Sequence, residues 1–411
     1  MVNETAPDRL TPRQIGIFSL CAVCLILDGF DLQAIGFVAP AIVRDWSLPP
    51  GSLGRVFGAA LFGVMIGSIG FSMLADRIGR RPVLIAATVF FAVMALVTAQ
   101  AQSLQQLLVI RFIAGIGMGA IMPNVMAMVG ELSPPNIRVT VMMIVGTAFT
   151  AGAALGGVVS GWLIPLYGWR SVFYVGGALP LLLVGLMMKY LPESMPRSEE
   201  REPGVPLVQL FQGGLAAGTL LLWVINFANL LNVYFLANWL PTVVQDAGYP
   251  TRTAVFVGTL LQVAGTIGSL GLGWFVHRLG FVRVLTTCFV LSWFSIVAIG
   301  RPALPLNLLM VAVFVAGLCV IGGQAAINAL AATFFPAHVR STGIGSGLGV
   351  GRIGAILGPL VAGELLRVGW EARDVFNLAA APALVAGACM LAMHGVMRRR
   401  ASAATPSPRA F

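Results

Sequence analysis

Residues 53–100 read LGRVFGAALFGVMIGSIGFSML, then ADRIGRRP, then VLIAATVFFAVMALVTAQ. Two apolar runs are joined here by a short turn that carries one acid and three arginines. Because a helix of roughly 20 apolar residues crosses about 30 Å of hydrocarbon, each run is long enough to span a bilayer. The stretch therefore predicts two membrane-spanning helices, with the charged turn at the membrane surface.

The rest of the chain repeats this pattern. Of its 411 residues, 58% are hydrophobic and only 10% are charged, whereas soluble domains carry about 25% charged residues. This composition excludes a water-soluble globule and a disordered chain. The apolar runs predict an all-α membrane protein with twelve transmembrane helices, at 14–43, 53–74, 83–100, 105–130, 138–163, 170–190, 213–240, 251–274, 283–300, 304–334, 340–366 and 373–397.

A charged, proline-rich segment divides these helices six and six, and the two halves resemble each other at an offset of 201 or 202 residues. The matching stretches are 77–79 with 278–280, 137–138 with 339–340, and Gly152 and Gly156 with Gly354 and Gly358. A parallel repeat of this kind is the layout of a rocking secondary transporter, with its binding site where the halves meet near the midplane. We therefore predict two pseudo-symmetric six-helix bundles with cytoplasmic connections: bundles at 1–190 and 213–397, a linker at 191–212 and a tail at 398–411.

The basic residues lie at the ends of the apolar runs, so the net charge of +10 indicates contact with the membrane surface rather than with nucleic acid. Of the 25 Lys and Arg, 16 fall on the side of the N-terminus, 7 on the opposite side and 2 within spans. By the positive-inside rule, both termini are predicted to be cytoplasmic. The five cysteines lie inside apolar runs as packing residues, and the sequence shows no catalytic or metal-binding constellation. We therefore predict neither an enzyme nor a metal site.

The turn between the second and third predicted helices carries the strongest local motif. Residues 74–81, LADRIGRR, resemble the signature loop of the major facilitator superfamily, roughly G-x-L-A-D-R-x-G-R-[KR], with Ser72 at the first glycine. The resemblance implies the major facilitator fold. Salt bridges at a moving surface exchange at little cost, so we expect a charge latch that gates the cytoplasmic side, formed by Asp76, Arg77, Arg80 and Arg81. The alternative is that these arginines only set the topology.

Two aspartates lie inside the first predicted helix, in the run Leu27-Asp28-Gly29-Phe30-Asp31. An ionised carboxylate at the centre of a spanning helix costs roughly 2.5 to 3.5 kcal/mol, so two of them require a reason. Their spacing places both on one helical face, and Asp28 lies about 20 Å along the axis, close to the midplane. Burial and mutual repulsion favour the protonated form of at least one, which predicts proton coupling through Asp28 and Asp31. The alternative is a static partner for an intramembrane arginine.

Two arginines also lie within predicted spans. Arg352 is about 18 Å from the start of its span, and its planar guanidinium can hold a carboxylate through two hydrogen bonds. We predict that it binds an anionic substrate, with pairing to Asp28 or Asp31 as the alternative. Arg111 resembles the span-4 arginine motif of the superfamily and suits a partner for Asp31, whereas snorkelling to the membrane surface is its alternative.

Polar and aromatic side chains within the spans are candidates for the walls of a substrate pocket. Amides in spans often only bridge helices, so each candidate also has a purely structural interpretation. Besides Arg352, the predicted substrate contacts are Asn124, Tyr234, Gln262, Gln324 and Asn328. Further polar candidates in the same spans are Asn226, Asn229, Asn238 and Trp239.

Within the superfamily, the stretches 28–36, 351–355 and 238–241 are similar to the aromatic acid:proton symporter family. This resemblance implies uptake of benzoate-like, hydroxybenzoate-like or phenylpropanoate-like carboxylates, coupled to inward proton flow across a bacterial inner membrane. It assigns Asp28 and Asp31 to the family's span-1 acid positions and Arg352 to its span-11 arginine.

We expect a monomer in the lipid bilayer that uses protons as the coupling ion, needs no cofactor and binds no nucleic acid. One alternative is a proton-coupled exporter of drugs or metabolites. The resemblance to the superfamily disfavours it, because residues 152–157 lack the proline of the superfamily's antiporter signature. Another is a nutrient sensor derived from a transporter.

Overall fold

The computed structural model describes residues 10–134, 136–192, 207–301, 304–336 and 339–404; the side chains of Asp76, Val139, Ser341 and residues 399–404 lie outside this description. The helices are α1 Pro12–Asp45, α2 Gly54–Ile78, α3 Arg80–Ala99, α4 Leu104–Gly119, α5 Ile121–Leu132, α6 Arg138–Tyr167, α7 Arg170–Tyr190, α8 Ala216–Asp246, α9 Thr251–Leu279, α10 Phe281–Ile299, α11 Leu306–Ala316, α12 Gly322–Phe334, α13 Arg340–Arg367 and α14 Ala372–Ala404. A 3₁₀ turn at Leu207–Phe211 precedes α8, and a π-helical segment at Gly317–Ile321 joins α11 to α12.

Twelve helices in the described part are long and apolar enough to cross a membrane, which confirms the predicted number. Helices α4 and α5 form one span, Leu104–Leu132, and α11, the π segment and α12 form another, Leu306–Phe334. The seventh span continues through Pro241 to Asp246, beyond the predicted end at 240. A proline is tolerated within a transmembrane helix because neighbouring groups can satisfy the backbone carbonyl that it leaves without a donor.

Several helix ends follow directly from local sequence. At the start of α1, the Thr11 hydroxyl accepts from the Gln14 backbone N–H, and the Gln14 side chain accepts from the Thr11 N–H in a capping box. Between α2 and α3, Gly79 adopts φ 96°, a conformation that favours glycine. This conformation turns the chain back within one residue and holds the signature loop tightly between two spans.

The internal repeat predicted from sequence is present in the backbone. Gly280, between α9 and α10, has φ 82° and ψ 156°, close to the 96° and 157° of Gly79. The residues before α6 and α13 also match, since Ile137 has φ −116° and ψ 3° and Val339 has φ −113° and ψ 1°. The two halves therefore share helix-ending turns as well as sequence.

The repeat extends to helix packing. A Cβ at Gly152 of α6 would collide with the Ile26 carbonyl of α1, and a Cβ at Gly354 of α13 would collide with the Phe227 carbonyl of α8. Ile26 and Phe227 are 201 residues apart, and the two glycines are 202 apart. Small residues let transmembrane backbones approach closely, so the pairs α1–α6 and α8–α13 pack in the same way.

The described chain forms two compact units. The first contains α1–α7 together with Ala237–Val263, and the second contains the earlier part of α8 and the chain from Ala264 onward. Most of the predicted linker, at 193–206, and the end of the predicted tail, at 405–411, lie outside the described residues. The bundle and linker boundaries therefore stay predictions.

Candidate functional site

Asp31 and Arg111 form a buried ion pair within the first unit. Arg111 Nη1 donates to Asp31 Oδ2 at 3.0 Å, and Nη2 donates to the Asp31 backbone carbonyl at 3.1 Å. Both side chains are 0% exposed, and the guanidinium carbon lies 5.5 Å from the centre of the Phe173 ring. This geometry holds α1 to α4 and corresponds to the partner interpretation of Arg111 rather than to snorkelling.

The ion pair leaves polar atoms unsatisfied. Asp31 Oδ1 and Arg111 Nε are buried and have no hydrogen-bond partner among the described residues. A buried carboxylate oxygen without a donor is costly. The carboxyl group of Asp31 therefore has one oxygen paired with Arg111 and one oxygen without a hydrogen-bond partner among the described residues.

Asp28 lies one turn before Asp31 in α1 and is 4% exposed. Its neighbours are fixed by close packing: a Cβ at Gly29 would collide with the Phe149 carbonyl of α6. One turn earlier, Cys24 Sγ lies 3.6 Å from Thr88 Oγ1 of α3. Both predicted acids are thus buried in a helix whose backbone packs closely against α6. A larger residue at Gly29 would push the two helices apart.

In the second unit, four amide side chains of α8 and α12 form a continuous hydrogen-bonded network, here called the amide network. Asn229 Nδ2 donates to Gln324 Oε1 at 2.9 Å, and Gln324 Nε2 donates to Asn226 Oδ1 at 3.0 Å and to Asn328 Oδ1 at 3.1 Å. Asn226 and Asn229 are 3% and 2% exposed. The structure thus joins two predicted substrate contacts, Gln324 and Asn328, to two of the further polar candidates, Asn226 and Asn229.

Arg352 lies in the middle of α13 and is half-buried. It makes no hydrogen bond and no ion pair with any described residue. The preceding residue, Gly351, packs on α8, because a Cβ there would lie 3.2 Å from the backbone carbonyl oxygen of Asn226. The mid-span guanidinium that sequence predicted as an anion site is therefore without an anion from the described chain, and it follows directly on a glycine packed against Asn226.

The other predicted pocket residues are not part of the amide network. Asn124 is 0% exposed, and its Nδ2 donates to the Ala120 carbonyl at 2.7 Å, so it bonds to its own span. Tyr234 of α8 and Gln262 of α9 are buried, at 8% and 3% exposed. Their roles in substrate contact stay predictions.

The signature loop is partly locked within the first unit. Arg80 Nε donates to Glu131 Oε1 of α5 at 2.9 Å, and Arg81 Nη2 donates to the Met188 carbonyl of α7 at 2.6 Å. Arg77 is exposed, and the side chain of Asp76 lies outside the description. The arginines therefore brace helices of their own unit, and the latch between halves stays a prediction.

Two buried amide side chains of the described chain escaped the sequence analysis. Gln33 of α1 is 5% exposed and Asn232 of α8 is 2% exposed, and the side-chain oxygen of each has no hydrogen-bond partner within the described chain. Asn232 follows Asp31 by 201 residues. Asn229 likewise follows Asp28 by 201 residues. The sequence repeat was therefore the signal that could have identified Asn232.

Comparisons with known proteins agree with this architecture. The sequence profile described as Major Facilitator Superfamily matches residues 21–305 and 222–410. The 4-hydroxybenzoate transporter PcaK of Pseudomonas aeruginosa is 37% identical, over 93% of each chain. The 3-(3-hydroxy-phenyl)propionate transporter of Escherichia coli is 36% identical, over 97% of this chain and 98% of its own.

Among solved structures, the chain is similar to a bacterial homolog of the human lysosomal transporter Spinster in an inward-facing and occupied conformation. The TM-score is 0.79 at 17% identity, with 95% of this chain and 98% of the other covered. This likeness shows the fold. The profile and the two relatives confirm a multi-pass membrane transporter rather than an enzyme. The chain therefore belongs to the major facilitator superfamily and, within it, to the family of aromatic acid transporters.

Proposed function

We propose that the protein imports a small aromatic carboxylate together with a proton, by alternating access. The two relatives are named for the transport of hydroxylated aromatic acids, one a benzoate and one a phenylpropionate. Both cover more than nine-tenths of this chain at more than one-third identity, which supports the same class of substrate here.

The observation that carries this proposal is the contrast between the two arginines that lie within spans. Arg111 is neutralised by Asp31, whereas Arg352 has no ion pair with any described residue. A guanidinium at mid-membrane depth requires an anion, and a carboxylate matches its two parallel N–H donors. The substrate carboxylate would supply that charge at Arg352.

Counting the charges of these two arginines and the two span-1 aspartates supports coupling to a proton. Two acids, Asp28 and Asp31, and two arginines, Arg111 and Arg352, sum to zero when all four are ionised. Binding one substrate carboxylate brings the sum to −1, and protonation of one aspartate returns it to zero. Since an uncompensated charge in hydrocarbon is costly, one proton for each carboxylate is the ratio that leaves the loaded transporter neutral.

The cycle follows from this balance. A proton from the outside binds an aspartate of α1, and Asp31 Oδ1 offers an oxygen with no competing donor among the described residues. The substrate docks its carboxylate on Arg352 and its ring on apolar and aromatic walls. The neutral, loaded protein then exchanges its outward-open and inward-open states at a lower cost than the half-loaded one.

The charge asymmetry of the sequence supports cytoplasmic termini, and the bacterial relatives support a bacterial inner membrane. In that orientation the proton gradient drives inward transport. A monomer suffices for this cycle, with protons as the coupling ion and no further cofactor.

The test is accumulation of 4-hydroxybenzoate in liposomes that contain the purified protein. An acidic exterior should drive accumulation above equilibrium, and a protonophore should abolish the accumulation while leaving exchange of internal for external substrate. Asp45→Asn, at the half-exposed end of α1, is the matched control and should behave as wild type. Accumulation that persists with the protonophore, or that requires the reverse gradient as for an exporter, contradicts the proposal.

A further inference from the structure

We propose that the amide network is the specificity site for a ring hydroxyl, with Asn328 Nδ2 donating a hydrogen bond to the hydroxyl oxygen of the substrate. This inference rests on the proposed function, because it presupposes an aromatic carboxylate held at Arg352. In this assignment Asn328 discriminates among aromatic acids by their ring hydroxyls. Arg352 cannot do so, because it binds the carboxylate that all of them carry.

Backbone carbonyls determine which way each amide of the network points. Asn226 Nδ2 donates to the Leu222 carbonyl at 3.0 Å and Asn229 Nδ2 donates to the Val320 carbonyl at 3.1 Å. A carbonyl only accepts, so the oxygen of Asn226 must face Gln324. Gln324 must then point its Nε2 at Asn226, which leaves its Oε1 to accept from Asn229.

The same logic runs outward to Asn328. The second Nε2 proton of Gln324 goes to Asn328 Oδ1, so the oxygen of Asn328 is used and its Nδ2 points away from the network. Neither Nδ2 proton has a partner among the described residues, and the side chain is only half-buried. The network therefore ends at Asn328 Nδ2, which carries two N–H donors in a fixed direction. This nitrogen cannot accept a hydrogen bond.

The π-helical segment explains how the network is anchored. Val320, whose carbonyl accepts from Asn229, lies inside Gly317–Ile321. π-helical turns within α-helices are rare and occur frequently at functional sites. Here the segment lies immediately before the helix that carries Gln324 and Asn328, and the bond to Asn229 ties it to α8.

The depth of Asn328 suits a ring held at Arg352. Asn328 lies about 9 Å from the end of α12 and Arg352 about 18 Å from the start of α13, at 1.5 Å per residue. Consecutive helices joined by a short connection begin and end at the same side of the unit, so Asn328 lies nearer that side by about one aromatic ring with its substituents. A ring with its carboxylate at one end and a hydroxyl at the other matches this separation.

Discrimination follows from desolvation. A hydroxylated ring gives the Asn328 donors an acceptor, whereas an unsubstituted ring covers them without one, and buried donors without partners are costly. One such hydrogen bond corresponds to roughly a tenfold difference in affinity.

The experiment compares the dissociation constants of benzoate and 4-hydroxybenzoate for the purified full-length protein, by calorimetry. Wild type should bind the hydroxylated acid about tenfold more tightly, and Asn328→Leu should bring the ratio close to one while benzoate affinity stays within about twofold. Asn328→Ala serves if the leucine variant unfolds. The matched control is Ser292→Ala, which should keep the wild-type ratio, because the Ser292 hydroxyl donates to the Cys288 carbonyl of its own helix.

Two results would overturn the assignment while leaving the proposed function intact. One is a wild-type protein that binds both acids equally well. The other is an Asn328→Leu protein that weakens both acids by the same factor, because an unchanged ratio indicates a structural role only. A wild-type protein that binds neither acid instead refutes the proposed function, and this inference with it.

Discussion

The two halves of the chain have the same scaffold and opposite polar chemistry. Gly152 packs against Ile26 in the first half, and Gly354 packs against Phe227 in the second. Gly79 and Gly280 form equivalent turns between helices. At the offset of the repeat, however, Asp28 and Asp31 correspond to Asn229 and Asn232. Both halves crosslink their first and fourth spans through polar side chains, by an ion pair in the first unit and by neutral amides in the second.

The arginines show the same contrast. Arg111 corresponds to Val313, and Arg352 corresponds to Thr150, so each half has one arginine within a span where the other half has an uncharged residue. The first unit pairs its arginine internally, and the second leaves its arginine without a partner among the described residues. A duplicated scaffold can thus divide labour: titratable groups lie in one copy, and a fixed charge with neutral hydrogen-bonding groups lies in the other.

The largest expected effect comes from giving the first half the residue of the second. Asp31→Asn should abolish accumulation and destabilise the protein by about 3–5 kcal/mol, because it leaves the buried Arg111 without its counter-charge. Thermal unfolding in detergent and accumulation in liposomes measure the two effects. The double variant Asp31→Asn with Arg111→Val, which copies Asn232 and Val313, should recover much of the stability but not the accumulation. Wild-type accumulation by Asp31→Asn would remove this residue from proton coupling.

The next effect concerns the unpaired arginine of the second half. Arg352→Gln keeps hydrogen-bond donors but loses the charge, so the dissociation constant for an aromatic carboxylate should rise by about tenfold to hundredfold. Stability should change little, because no described residue pairs with Arg352. Arg367→Gln, at the half-exposed end of the same helix, is the control. Equal affinity in Arg352→Gln and wild type would show that the substrate anion binds elsewhere.

The shared scaffold makes a smaller prediction. Gly152→Ala and Gly354→Ala should each destabilise the protein by about 1–3 kcal/mol, because each Cβ meets a backbone carbonyl that cannot move aside. Gly185→Ala and Gly345→Ala, where no atom lies within 4 Å of the added Cβ, are matched controls that should leave the melting temperature unchanged or raise it. A loss at only one of the first two sites would mean that the halves do not pack equivalently.

The smallest effect is expected at the signature loop. Glu131→Gln removes the partner of Arg80, in a pair whose side chains are 19% and 46% exposed. Since such pairs contribute about 1 kcal/mol or less, the melting temperature should fall slightly at low salt and match wild type at high salt. A large loss at all salt concentrations would show that the loop stabilises the first unit far more than surface charge allows.

Hydrophobic runs alone specified the twelve spans, because the bilayer demands about 20 apolar residues for each crossing whatever the partners are. The acids at 28 and 31 and the arginines at 111 and 352 were visible for the same reason, since a charge in such a run is expensive and therefore informative. The predicted end of the seventh span, at residue 240, was wrong because the helix continues through Pro241.

Which groups pair was decided only by the tertiary structure. Spacing alone left Asp31 free to meet either arginine, and helix packing brings it to Arg111 while Arg352 has no partner in the described chain. The direction of the amides depends on the Leu222 and Val320 carbonyls, one of which lies in a π segment that no hydrophobic pattern predicts. Hydropathy is a property of each run by itself, whereas hydrogen bonding is a property of two segments brought together, and only the folded backbone brings them together.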